Sequence, residues 1–151
     1  MPYLIVLQSV STTLFWFALG PCGTQSAFEP LVTILIVDDV REYLDALCRA
    51  LGDDYDILTA TSLDAAKAKM GPAVKLALVD VRLSGDDPAN RDGLLLLGWL
   101  REHHPDVPVV IMSAYRDFDA AADALNLGAS RYLKKPINLR ELRETIAALT
   151  R

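Results

Sequence analysis

The chain has 151 residues, 52% hydrophobic and 23% charged, which is enough apolar content for the core of one domain. Its formal net charge is −5 and it has no basic run, which excludes the electrostatic footprint of a nucleic-acid binder. Two cysteines, Cys22 and Cys48, are too few for a disulfide framework.

Residues 1–28 carry no charged side chain, and the first acid is Glu29. Residues 1–30 therefore read as an N-terminal extension, uncharged through residue 28. Tyr3–Leu19 is apolar but broken by Gln8, Ser9, Ser11, Thr12 and Thr13, with no Lys or Arg before it. A secretory signal wants a positive n-region, and a membrane-spanning helix wants ~20 predominantly apolar residues. Three readings stay open: a weak membrane anchor, a packed or partner-binding arm, and a start site placed too far upstream.

From Leu31 the pattern alternates between strand and helix. Thr33–Val37 is a continuous apolar run, the mark of a central strand buried on both faces. Residues 41–51 carry Leu44, Leu47, Cys48 and Leu51 at helical spacing, so Cys48 reads as a core thiol and Gly52 as the residue closing the helix. Tyr55–Thr59 is a short strand. Ser62 caps a helix that runs to Met70, where Gly71-Pro72 stops it. Lys75–Asp80 is the third strand, and the turn-forming stretch Ser84–Arg91 follows it as a loop.

Leu94–His103 is the third helix, ended by Pro105. Leu94, Leu96, Leu97 and Leu100 share one arc, while Leu95 and Trp99 fall on the other side. That predicts an exposed Leu–Trp pair, a candidate surface for homodimerisation. His103 and His104 read as exposed helix-end residues. Val109–Met112 is the fourth strand, Asp117 caps a helix to Leu127 closed by Gly128, and Arg131–Lys134 is the fifth strand. Asn138, with Glu141 three residues on, opens a last helix whose inner face carries Leu139, Leu142, Ile146 and Leu149. Strict alternation implies an α/β fold with a parallel sheet and helices on both faces.

The ends of the strands carry the chemistry. Asp38 and Asp39 follow the first strand, Asp80 ends the third, Ser113 follows the fourth and Lys135 the fifth. In an open parallel sheet the carboxyl ends of the strands lie along one edge, where ligands bind. Three carboxylates, a hydroxyl and an ammonium in one site suit a divalent metal and a phosphoryl group. Taken singly each residue has a plainer reading: acids at a helix N-terminus, a turn aspartate, a loop serine, a solvated lysine. Their joint placement shifts the balance.

The motifs ILIVDDV, LALVDVRL, DGLLLL, VVIMSAY and GASRYLKKP, in this order, resemble those of response-regulator receiver domains over 31–151. The resemblance implies a flavodoxin-like, doubly wound, five-stranded parallel sheet of order 2-1-3-4-5 with five helices. It implies Asp80 as phosphoacceptor, Mg²⁺ as cofactor held by Asp38, Asp39, Asp80 and the Arg82 backbone carbonyl, and Ser113, Lys135 and the Ala114 backbone N–H as phosphoryl contacts. It further implies Ser113 and Tyr132 as switch residues and a cis peptide before Pro136. Arg82 and Tyr115 fall at variable positions flanking the phosphoryl group. The implied partners are a histidine kinase or histidine phosphotransfer protein and an unknown output partner. A receiver must meet ATP-fed kinases, so the implied location is cytoplasmic. The family's usual start near Val32 favours the upstream-start reading of the extension, with Val32 as a candidate GTG codon.

The sequence departs from the pattern at Ser84, where proline is usual, and in a loop longer by about five residues, Asp86–Asn90. Competing classes are a pseudo-receiver that never takes phosphate, an aspartyl phosphohydrolase and a flavin-binding protein. The complete acidic set opposes the first, Arg82 opposes the second by standing where a second carboxylate is wanted, and the lack of a hydroxyl- and glycine-rich loop after the first strand opposes the third. The chain reads as a stand-alone receiver or a piece of a longer protein.

Overall fold

A computed structural model describes residues 30–114 and 118–151. The expectations for the N-terminal extension, Cys22, Tyr115 and the Asp117 cap lie outside these residues. The elements run β1 (Thr33–Val37), α1 (Arg41–Leu51), β2 (Asp56–Ala60), α2 (Leu63–Lys69), β3 (Val74–Asp80), α3 (Asp92–His103), β4 (Val109–Ser113), α4 (Phe118–Asn126), β5 (Arg131–Lys134) and α5 (Leu139–Leu149). The five strands form one parallel sheet in the order β2-β1-β3-β4-β5. The expected architecture is borne out.

The two-residue period of a strand explains the two-sided core. Leu35, Val37, Ala77, Val79, Val109 and Ile111 point to one face and pack with Ala66 of α2, Leu94, Leu96, Leu97 and Leu100 of α3, and Ala120 and Ala124 of α4. Ile34, Ile36, Leu76, Leu78, Val110 and Met112 point to the other and meet Leu44, Leu47 and Leu51 of α1 and Leu142 and Ile146 of α5. Helix ends are capped as their residues dictate. Ser62 Oγ accepts from Ala65 N at 3.2 Å, and Asn138 Oδ1 accepts from Arg140 N at 2.9 Å and Glu141 N at 3.3 Å. Gly128, at φ 93°, closes α4 in the left-handed region.

Four local expectations are corrected. Gly52 stays right-handed (φ −66°), because the chain keeps turning: Gly52 N donates to Cys48 O and Tyr55 N to Leu51 O. Cys48 is half-buried at the edge of the α1 face rather than inside the core. Leu139 is 45% exposed, since the first residue of α5 precedes the turn that packs, and Thr145 is buried on that helix instead. Leu95 is 63% exposed, but Trp99 is not its exposed partner. The indole packs against the core, stacks on His103 with ring centroids 4.7 Å apart, and has Lys67 Nζ 5.5 Å from its centroid.

Candidate functional site

The carboxyl edge of β1, β3, β4 and β5 gathers the polar strand ends. β1 delivers Asp38 and Asp39, and Asp38 is held by its backbone, whose N–H donates to Ala60 O at 3.1 Å. β3 ends in Asp80 and β4 in Ser113, both buried. Lys135 follows β5, and its N–H donates to Ser113 O at 2.7 Å, tying the two strand ends together. The Lys135–Pro136 peptide is cis.

Carboxylate oxygens of Asp38, Asp39 and Asp80 all lie within 4.8 Å of one another. Asp38 is fully buried, Asp80 is 7% exposed and Asp39 is half-buried. Like charges this close need a cation. Lys135 Nζ supplies one, bonding Asp38 Oδ2 and sitting 2.9 Å from Asp80 Oδ1. Asp38 Oδ1 also accepts from Val40 N at 3.0 Å, an Asx-type turn that shapes the approach to α1, whose own first N–H groups receive no side-chain cap.

Burial pushes the Asp80 carboxyl up to about 6; Lys135 opposes the rise, while Asp38 and Asp39 add to it. Burial alone would lower Lys135, but Asp80 and Asp38 outweigh it and hold its pKa above the ordinary value. The two groups move for different reasons: burial dominates at the Asp80 carboxyl, whereas the combined pull of Asp80 and Asp38 prevails at the Lys135 ammonium.

Two backbone features shape the surroundings. Gly93 opens α3 so close to the β3 end that a Cβ there would lie 1.9 Å from Asp80 O, and its N–H donates to Val81 O at 3.0 Å. The loop after Asp80 folds back with Gly85 beside Asp39: a Cβ on Gly85 would stand 3.1 Å from Asp39 Oδ2. Asn90 Oδ1 fastens that loop by accepting from both Leu83 N (3.0 Å) and Asp92 N (3.1 Å).

Of the other expected residues, Arg82 is half-buried two positions after Asp80, Ala114 is exposed directly after β4, and Tyr132 is half-buried on β5 opposite Ile111. Tyr132 packs against the core on the α2–α4 side of the sheet. Sequence reasoning missed Tyr43, whose ring centroid lies 4.4 Å from Lys135 Nζ. Its hydroxyl is buried without a hydrogen-bond partner, and burial raises its pKa, so it stays neutral. A polar-tipped aromatic in the first turn of a helix that follows an acidic strand end was the available signal.

Three close carboxylates offer only hard oxygen donors, a set that fits Mg²⁺ or a similar cation rather than a thiophilic metal. Among the described residues no helix is long and apolar enough to cross a membrane.

The sequence profile of the response regulator receiver domain matches residues 34–147. The chain is 34% identical over 116 residues to the response regulator protein FleR of Pseudomonas aeruginosa, covering 76% of this chain and 24% of that protein. It is 38% identical over 114 residues to the DNA-binding transcriptional regulator NtrC of Salmonella typhimurium, covering 72% and 22%. The chain thus spans about a quarter of the length of these relatives. In structure it is similar to the receiver domain of NtrX from Brucella abortus (TM-score 0.69, 29% identity, 78% of this chain and 97% of that one). It is equally similar to a CheY-like receiver domain from Methanospirillum hungatei (TM-score 0.69, 30% identity, 78% and 92%).

Proposed function

The chain belongs to the response regulator receiver domain family, and on that footing we propose that Asp80 accepts a phosphoryl group from a histidine kinase or histidine phosphotransfer protein. The observation that carries this reading is the cluster itself: three carboxylates within 4.8 Å, with Lys135 2.9 Å from Asp80. An Asp80 oxygen attacks phosphorus in line with the leaving imidazole nitrogen. The O–P bond forms, the N–P bond breaks, and the nitrogen leaves with its electron pair and takes a proton from water. Lys135 and Ser113 neutralise charge on the equatorial oxygens, with the Ala114 N–H as a further donor. Mg²⁺, held by Asp38, Asp39, Asp80 and the Arg82 carbonyl, would supply further positive charge for the transferring group.

The role is regulatory, and the chain's own contribution to phosphorylation and hydrolysis serves signalling. New charge on Asp80 biases a two-state element in which Ser113 and Tyr132 rearrange and the α4–β5–α5 face changes its partners. The output partner is a protein or domain that reads that face. The cytoplasm is the compartment where such a donor is made.

The test is phosphoryl uptake from acetyl phosphate and from a histidine kinase, with and without Mg²⁺, followed by intact mass. Wild type labels only with Mg²⁺, and Asp80→Asn does not label. Undiminished labelling of the Asn variant would end the assignment.

A further inference from the structure

We propose that Tyr43 is a positioning residue of the phosphoryl site, its ring face holding the Lys135 ammonium beside Asp80. The inference rests on the reading of Asp80 as phosphoacceptor and adds a residue from α1 to a site otherwise built on strand ends.

Lys135 reaches the site on a flexible four-carbon stem, so its ammonium must be fixed from several sides. Asp38 and Asp80 hold it from two. The Tyr43 ring, 4.4 Å away at its centroid, closes a third, well inside the ~6 Å over which a cation is drawn to a ring face. Asp38 also belongs to the carboxylate cluster, so its hold on the ammonium weakens when a metal neutralises that cluster. The ring carries no charge, and its hold persists. The phenol hydroxyl has no hydrogen-bond partner, so what Tyr43 offers Lys135 is the ring face.

The test uses the full chain as Tyr43→Phe and Tyr43→Met, each alone and combined with Lys135→Ala. Uptake from acetyl phosphate with Mg²⁺ is one readout. The other is the NMR shift of the Lys135 Hε protons, which a ring face moves upfield whether or not phosphate is bound. Tyr43→Met should slow uptake roughly 3- to 10-fold, while Tyr43→Phe stays within about twofold and keeps the upfield shift. In the Lys135→Ala background Tyr43→Met should change uptake less than about twofold, because the partner is gone. Equal losses in Phe and Met, an equal loss with and without Lys135, or an ordinary Lys135 Hε shift in wild type would each overturn the positioning role. Should Tyr43→Met not fold, the wild-type and Phe shifts still decide. No uptake by wild type overturns the phosphoacceptor reading and this one together; uptake unchanged in Tyr43→Met overturns this one alone.

Discussion

Replacing Asp80 by asparagine should stabilise the fold, and the gain should depend on pH. Burial among Asp38 and Asp39 raises the carboxyl from the ordinary 3.8 to about 6. A raised acid binds its proton more tightly in the folded state than in the unfolded one, so stability falls as pH climbs from about 4 to about 6. Above that window the folded protein carries the full cost of the ionised group. At ~1.4 kcal/mol per tenfold change, the cost is about 3 kcal/mol. Asparagine has the shape of the protonated acid and avoids the charge, so Asp80→Asn should gain about 2–3 kcal/mol at pH 8 and nothing near pH 4. Urea unfolding in EDTA, followed by circular dichroism from pH 4 to pH 8, measures the difference. A gain that does not vary with pH, or a less stable variant at pH 8, would refute the argument that the charge on Asp80 is held at a cost.

Two glycines beside the site give sharper steric expectations. Gly93→Ala puts a methyl 1.9 Å from the Asp80 carbonyl oxygen and 2.8 Å from Val81 O, backbone atoms that cannot yield, so it should cost about 3 kcal/mol in urea unfolding. Gly85→Ala presses on the Asp39 carboxylate alone; it should weaken calorimetric Mg²⁺ binding on the order of tenfold while stability moves by less than about 0.5 kcal/mol.

The sheet was legible because its strands are continuous apolar runs, each ending abruptly in a polar residue that marks the carboxyl edge. The acidic cluster was legible for the same reason: parallel topology converts strand ends into neighbours. What sequence could not reveal is whatever depends on contacts and backbone turns that only the fold creates. Trp99 looks exposed on a helical wheel, which knows nothing of Lys67 on α2 or of the core that the indole meets. Gly52 looks like a left-handed stop, but the hydrogen bonds to Leu51 O continue the turn. Tyr43 draws no notice in the sequence because its partner, Lys135, is far away along the chain and reaches it only through the fold.

The double bond-acceptance of Asn90 has a consequence for how this protein can change over time. One carboxamide oxygen joins the residue leaving the third strand's end to the first residue of α3. Asp86–Ala89, all exposed, hang outside that clasp. Their own ties are local, Asn90 N to Asp87 O and Arg91 Nη1 to Pro88 O, so changes in their length and composition should not tug on Asp80 or the helix behind it. Recognition of a partner at the rim could be rewritten there by small insertions while the chemistry stays constant, and a designer could splice a short peptide between Asp86 and Ala89 on the same grounds.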